Sequence, residues 1–265
     1  MQSALESIFA DLTLGPLPSR ETLAAACQRH GVSQEDAAAL DQSFARLLTY
    51  RDLVRGNLRE AVQLSIPRSM ARLGPLFDEY FDRFLADRAP ATHYLRDVTG
   101  ELLDFCAPLW QADARVPRYL PDLARHEALH IEISALPALP RDHVAAPLSL
   151  EASVAFGAAL RLMSYSHAVH ELPEALSDRS EAPARAVRLL VYRSPEHEVR
   201  YLELTPLAHG IVQRLLRGAA LGRAVQAAAT EVGATLTEAV LAGAARLLAD
   251  LAERGVLQGP IPASD

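Results

Sequence analysis

Near residue 135 the chain changes its hydrophobic period, and this change restricts its possible folds more than any other feature. The segment "ALPALPRDHVAAP" (135–147) has three prolines and no helical period, so it reads as a linker. Before it, apolar residues recur three and four apart, as a buried helix face requires. After it come "ARAVRLLVYR" and "EVRYLEL", β-rich runs separated by Ser194-Pro195-Glu196-His197, which predict a hairpin. We therefore expect a helical domain over 1–134, a linker over 135–149 and a small α+β domain over 150–265.

Local signals support the helices. Ser19 caps "SRETLAAACQRHG", which Gly31 ends, and Ser33 caps a longer run in which Leu40, Phe44, Leu47, Leu48, Leu53, Val54, Leu58 and Val62 keep the spacing. Pro67 closes that run, and the Phe-rich stretch before residue 88 is interrupted by Gly74-Pro75. Thr205-Pro206 is a cap followed by proline at the first helical position, and helices are predicted over 206–217, 221–232 and 236–253. A short strand, "VLQG", finishes the pattern. The fold class is mainly α, with a winged-helix-like hairpin and three helices in its second domain.

Composition excludes several roles. The net charge is −7, from 33 acidic and 26 basic residues, which disfavours a protein held to nucleic acid by a basic surface. Every basic residue counted is arginine, which we attribute to coding bias. The first residues lack a secretory pattern and no segment has the ~20 apolar residues of a membrane helix, so the expectation is a cytoplasmic protein. Cys27 and Cys106 have no CxxC context and read as buried thiols.

One motif carries chemistry. "HEALH" places His126 and His130 at i,i+4 with Glu127 between them, the zinc pattern of metallopeptidases with Glu127 as general base. A catalytic zinc needs a third protein ligand. The downstream candidates His143, Glu151, His167, His170 and Glu171 sit in no recognisable partner motif, so the expectation is that no metal is bound and that these histidines are structural. His167 and His170, at i,i+3, are candidates for a shared helix face. There is no nucleophile elbow, phosphate loop or dinucleotide fingerprint. The chain reads as a non-enzyme.

The run 49–106, "TYRDLVRGNLREAVQLSIPRSMARLGPLFDEYFDRFLADRAPATHYLRDVTGELLDFC", with "LRLMSYSHAVHEL", "VRLLVYRSPEHEVRYLELTP" and "LLRGAALGRAVQAA" after it, resembles a family catalogued as DNA-binding domain proteins of unknown function. The resemblance spans roughly residues 45–255. It departs from the family in the first forty residues and at Thr92-His93-Tyr94, where Ser-Pro-Tyr is more usual. Some members act beside multinuclear non-heme iron oxidative enzymes that modify ribosomally made peptides, as in methanobactin biosynthesis. The resemblance implies a partner protein that presents a precursor peptide to such an enzyme. Iron then resides in the enzyme, and this chain binds no cofactor. The catalogue name keeps a DNA-binding regulator as an alternative, and zinc hydrolysis through residues 126–130 is a second.

An exposed strand edge accepts an extended peptide through backbone hydrogen bonds. The residues expected to do so are Val187, Arg188, Leu190, Tyr192, Val199, Arg200 and Leu202. Arg188, Arg193 and Arg200 would suit an acidic leader, although charges on an edge also guard against aggregation. Arg51, Arg55, Asn57, Arg59, Tyr94, Arg96 and Asp97 are expected at the enzyme interface, since arginine and tyrosine are favoured at binding hot spots. Internal roles are the competing expectation, favoured for Asn57 and Asp97, with Arg59–Asp97 as a possible ion pair.

Overall fold

A computed structural model describes residues 2–137 and 148–261. Most of the expected linker therefore lies outside the described residues. Eight helices come first: α1 (Gln2–Leu14), α2 (Arg20–Arg29), α3 (Gln34–Gln42), α4 (Phe44–Ser65), α5 (Pro67–Leu73), α6 (Leu76–Asp87), α7 (Leu95–Ala112) and α8 (Leu120–Ala135). The expected caps form. Ser19 Oγ accepts from Thr22 N in a capping box, and Ser33 Oγ accepts from Asp36 N. The single helix expected after Ser33 is broken at Ser43, whose N–H bonds back to Ala39 and Leu40 as α3 ends.

The chain divides into two units, Met1–Ala128 with Pro173–Ser180, and Leu129–Leu172 with Glu181–Asp265. The boundary thus falls inside α8, and the short segment 173–180 returns to the first unit. A buried ion pair holds that segment: Arg72, with a side chain 1% exposed, donates to Asp178 Oδ1 at 3.0 Å.

In the first unit, Leu58 and Val62 of α4 meet Phe77, Tyr80, Phe81 and Phe84 of α6 and Leu102, Cys106 and Trp110 of α7. Each such large side chain contributes about 1.5–3 kcal/mol on burial. A smaller cluster joins Ile8 and Leu12 of α1 to Leu23, Ala26 and Cys27 of α2 and Leu47 of α4.

The second unit contains β1 (Val154–Phe156), β2 (Leu160–Tyr165), a 3₁₀ turn at Val169–Glu171, β3 (Val187–Arg193), β4 (Val199–Glu203), α9 (Pro206–Leu216), α10 (Leu221–Glu231), α11 (Glu238–Glu253) and β5 (Leu257–Pro260). β2, β3 and β4 form an antiparallel sheet in that order, and β1 pairs with β5. The hairpin is as expected, with His197 at positive φ in its turn. β2 departs from the sequence expectation: "LRLMSY" opens the segment in which His167 and His170 are candidates for one helix face. Instead, His170 lies in the 3₁₀ turn and His167 precedes it. One sheet face places Leu190 and Tyr192 in a core with Ile211, Val212 and Leu215 of α9, Ala224 and Val225 of α10, and Leu248 and Leu251 of α11. Gly255 ends α11 at φ +71, and a Cβ there would lie 3.1 Å from Pro195 Cγ in the hairpin turn. Only glycine meets both conditions without strain.

The molecule is therefore mainly helical, with a small antiparallel sheet in its C-terminal part. No described helix is long and apolar enough to cross a membrane.

Candidate functional site

The HEALH segment lies in α8. Glu127 is 7% exposed, and its carboxylate accepts hydrogen bonds from Arg68 N (2.8 Å), Arg68 Nε (3.2 Å), Ser69 N (2.9 Å) and Ser69 Oγ (2.6 Å). Arg68 and Ser69 follow Pro67 at the start of α5, where N–H groups have no partner within the helix. Glu127 is thus the cap of a neighbouring helix. With four donors bound to it, it has no acceptor position left to activate a water. His126 is buried and His130 is exposed, and among the described residues no set of three close metal-ligating side chains includes either one.

The arginines expected at an enzyme interface mostly turn inward. Arg51 is buried and donates to Gly15 O at 2.9 Å. Arg55 donates to Leu14 O at 3.1 Å and pairs with Asp82. Arg59 pairs with Asp78, not with Asp97, and its guanidinium lies 5.0 Å from the centre of the Phe77 ring. Spaced four apart, these residues form one stripe of α4 that fastens α1 and α6 to it. Asn57 faces solvent, contrary to its expected internal role. Tyr94 is 62% exposed and Arg96 lies 5.0 Å from its ring centre. Asp97 is also exposed, 3.6 Å from Arg96. With exposed Leu95, these three form a surface knob at the start of α7.

The hairpin residues separate into two groups. Val187, Leu190 and Tyr192 are buried in β3, which is bonded to β2 on one side and β4 on the other. The central strand has no backbone edge to offer, so these three residues support the sheet from within, which corrects their expected contact with peptide. Val199, Arg200 and Leu202 lie in β4, where the sheet ends. Bonds from Leu204 N to Arg188 O and from Ser194 N to Glu198 O, both 2.8 Å, set the alternation of the ladder. Val199 and Glu203 consequently turn N–H and C=O outward. Arg200 pairs with Glu198, and Arg193 donates to Ser134 O at 2.9 Å.

One ionic cluster was not foreseen. Arg185 donates to Glu203 Oε1 at 2.6 Å and Glu171 Oε1 at 2.5 Å, and His170 Nε2 lies 3.4 Å from Glu203 Oε2. His170, Glu171 and Glu203 lie close enough to share a metal, but the Arg185 guanidinium already bridges the two carboxylates. Its hydrogen bond holds the Glu203 carboxyl below its usual pKa. The members come from a 3₁₀ turn, a loop and a strand end, so no periodicity could have marked them. In the first unit, Tyr80 donates to Asp113 Oδ2 at 2.7 Å. Burial first, and then this bond, push the Tyr80 phenol up to about 12.

Residues 158–252 are similar to a known family: they match the family model described as HvfC C-terminal domain. The match runs from just before β2 nearly to the end of α11, so it takes in the three-stranded sheet and the three helices packed on it. No curated protein matches the chain.

Proposed function

We propose that this chain is a non-catalytic, cytoplasmic partner protein that holds a ribosomally made precursor peptide and presents it to a multinuclear non-heme iron oxidative enzyme. The iron belongs to that enzyme. The observation that carries the reading is the HvfC-type match, which falls on a module whose sheet ends in an open-sided strand. The resemblance over residues 45–255 supports the same role. The peptide adds antiparallel or parallel to β4 through the outward backbone groups of Val199 and Glu203, with Arg200 and Leu202 beside it. The Tyr94–Leu95–Arg96 knob contacts the enzyme, because it combines aromatic, apolar and guanidinium groups at one exposed point.

Co-expression with neighbouring gene products, followed by affinity capture and size-exclusion chromatography, tests the proposal. A complex with a short peptide and an iron enzyme is expected. Val199→Pro removes one outward N–H at the start of an edge strand, a position where proline is tolerated, and should weaken peptide capture without unfolding the protein. Absence of any peptide or enzyme complex refutes the reading. A regulator that binds DNA is the second reading, favoured by exposed Arg217 and Arg223 on either side of the α9–α10 turn. It requires duplex binding that falls steeply with salt.

A further inference from the structure

Arg188 breaks a regularity of this protein. Every other partly or fully buried arginine among the described residues has an acceptor: Arg72 has Asp178, Arg161 has Glu132, Arg193 has Ser134 O and Arg254 has Asp250, and the α4 arginines are paired as described above. Arg125, Arg68 and Arg214 follow the rule through Asp104, Glu127 and Glu231. Arg188 is partly buried, and among the described residues its guanidinium meets no carboxylate and no carbonyl oxygen. Among the described residues, Arg188 is thus a partly buried cation with no counter-charge of its own, its guanidinium still open to a ligand that brings one.

Its surroundings show what would restore the balance. Ser164 lies directly across the ladder from Arg188, and Ser164 Oγ is 3.3 Å from His209 Nε2 in α9. Burial and then the nearby Arg188 charge lower the His209 pKa, opposed by Glu231. Glu231 is itself engaged by Arg214 at 2.8 Å. Two cationic or potentially cationic groups and a hydroxyl thus converge at one end of the sheet. The one carboxylate acting on His209 is already paired.

We propose that Arg188, His209 and Ser164 form a carboxylate-binding site, which anchors an acidic residue of the bound peptide. The guanidinium offers paired N–H donors that match a carboxylate fork, and Ser164 Oγ, accepting from Nε2–H of the His209 imidazolium, turns its own proton to the carboxylate as a third donor with the imidazolium charge behind it. The net charge of −7 makes such a cationic spot a selective one, since most of the surface repels acidic ligands. Only the identity of the carboxylate's owner rests on the function proposed above. The site itself does not.

The test uses the full chain and sodium acetate as probe, with His209 followed by ring NMR and assigned with His209→Gln. Acetate at constant ionic strength should move the His209 titration midpoint upward by about half a pH unit or more, because a bound anion favours imidazolium. In Arg188→Gln the midpoint should start higher, and the acetate response should vanish while the thermal midpoint stays the same. A midpoint identical in acetate and chloride overturns the proposal. A response to inorganic phosphate many times that to acetate also overturns it, in favour of a phosphate site. A second arm measures hydrogen exchange of β4 with a co-encoded precursor peptide and with its Asp/Glu→Asn/Gln form. Weaker protection by the neutral form, lost equally in Arg188→Gln, supports the anchor. Equal protection by both forms overturns the anchor and leaves the partner function standing. No protection by any peptide refutes the partner function, and the acetate response then reports on the site alone.

Discussion

Replacing Glu127 separates a structural carboxylate from a catalytic one. In the native protein its oxygens accept from two backbone N–H groups, a serine hydroxyl and an arginine Nε, all within 3.2 Å. Glu127→Ala leaves these donors in a site from which water is largely excluded and removes the carboxylate paired with Arg68 Nε. Removing one partner of a buried, hydrogen-bonded charge pair costs about 3–5 kcal/mol. Glu127→Gln keeps one acceptor but turns an NH₂ toward the remaining donors, so we expect about half that loss, ~2 kcal/mol. At about 2–4 °C per kcal/mol for a chain of this size, the alanine variant should melt roughly 10 °C lower and the glutamine variant about 5 °C lower. Thermal unfolding followed by circular dichroism measures both. A metallopeptidase reading predicts the opposite: lost hydrolysis and unchanged or raised stability, because catalytic groups are commonly held at a cost to stability. Variants that melt within about 1 °C of the parent would refute the capping argument.

Three further outcomes follow from the packing. Because the Tyr80 phenol is pushed up to about 12 from an ordinary value near 10, the folded state prefers the protonated form. Its contribution is complete below about pH 10 and is lost as pH rises toward 12; urea midpoints should fall across that range, and the fall should be shallower in Tyr80→Phe. Burial pushes the Cys106 thiol up to about 12, so a thiol reagent at pH 8 should label it only after denaturation; rapid labelling of the native protein would show that the core opens readily. Gly255→Ala should destabilise by about 1–2 kcal/mol through its positive φ and the approach of Pro195, whereas an unchanged chemical midpoint would show that the turn relaxes at no cost.

Much of this architecture was legible in local chemistry. Ser19, Ser33 and Thr205 mark helix starts because their hydroxyls satisfy nearby N–H groups, an effect contained within four residues. The β-branched and aromatic composition of "VRLLVYR" and "VRYLEL", on either side of the turn at Ser194-Pro195-Glu196-His197, likewise places β3 and β4. β2 escaped because "LRLMSY" is short and becomes a strand by pairing with β3, a partner more than twenty residues away.

The sequence by itself determined several helix starts (at Ser19, Ser33 and Thr205), where the period changes, and that HEALH puts a glutamate between two histidines on one helix. Only the tertiary structure decided what those residues do. Glu127 is a cap because α5 presents its open end to it, Arg55 is internal because α1 and α6 lie within reach, and Arg188 has no carboxylate partner because the fold sets Ser164 and His209 beside it. Caps and periods depend on residues a few places apart. The role of a charged side chain depends on which distant oxygen or nitrogen the fold brings within about 3 Å of it, a quantity that spacing along the chain does not encode.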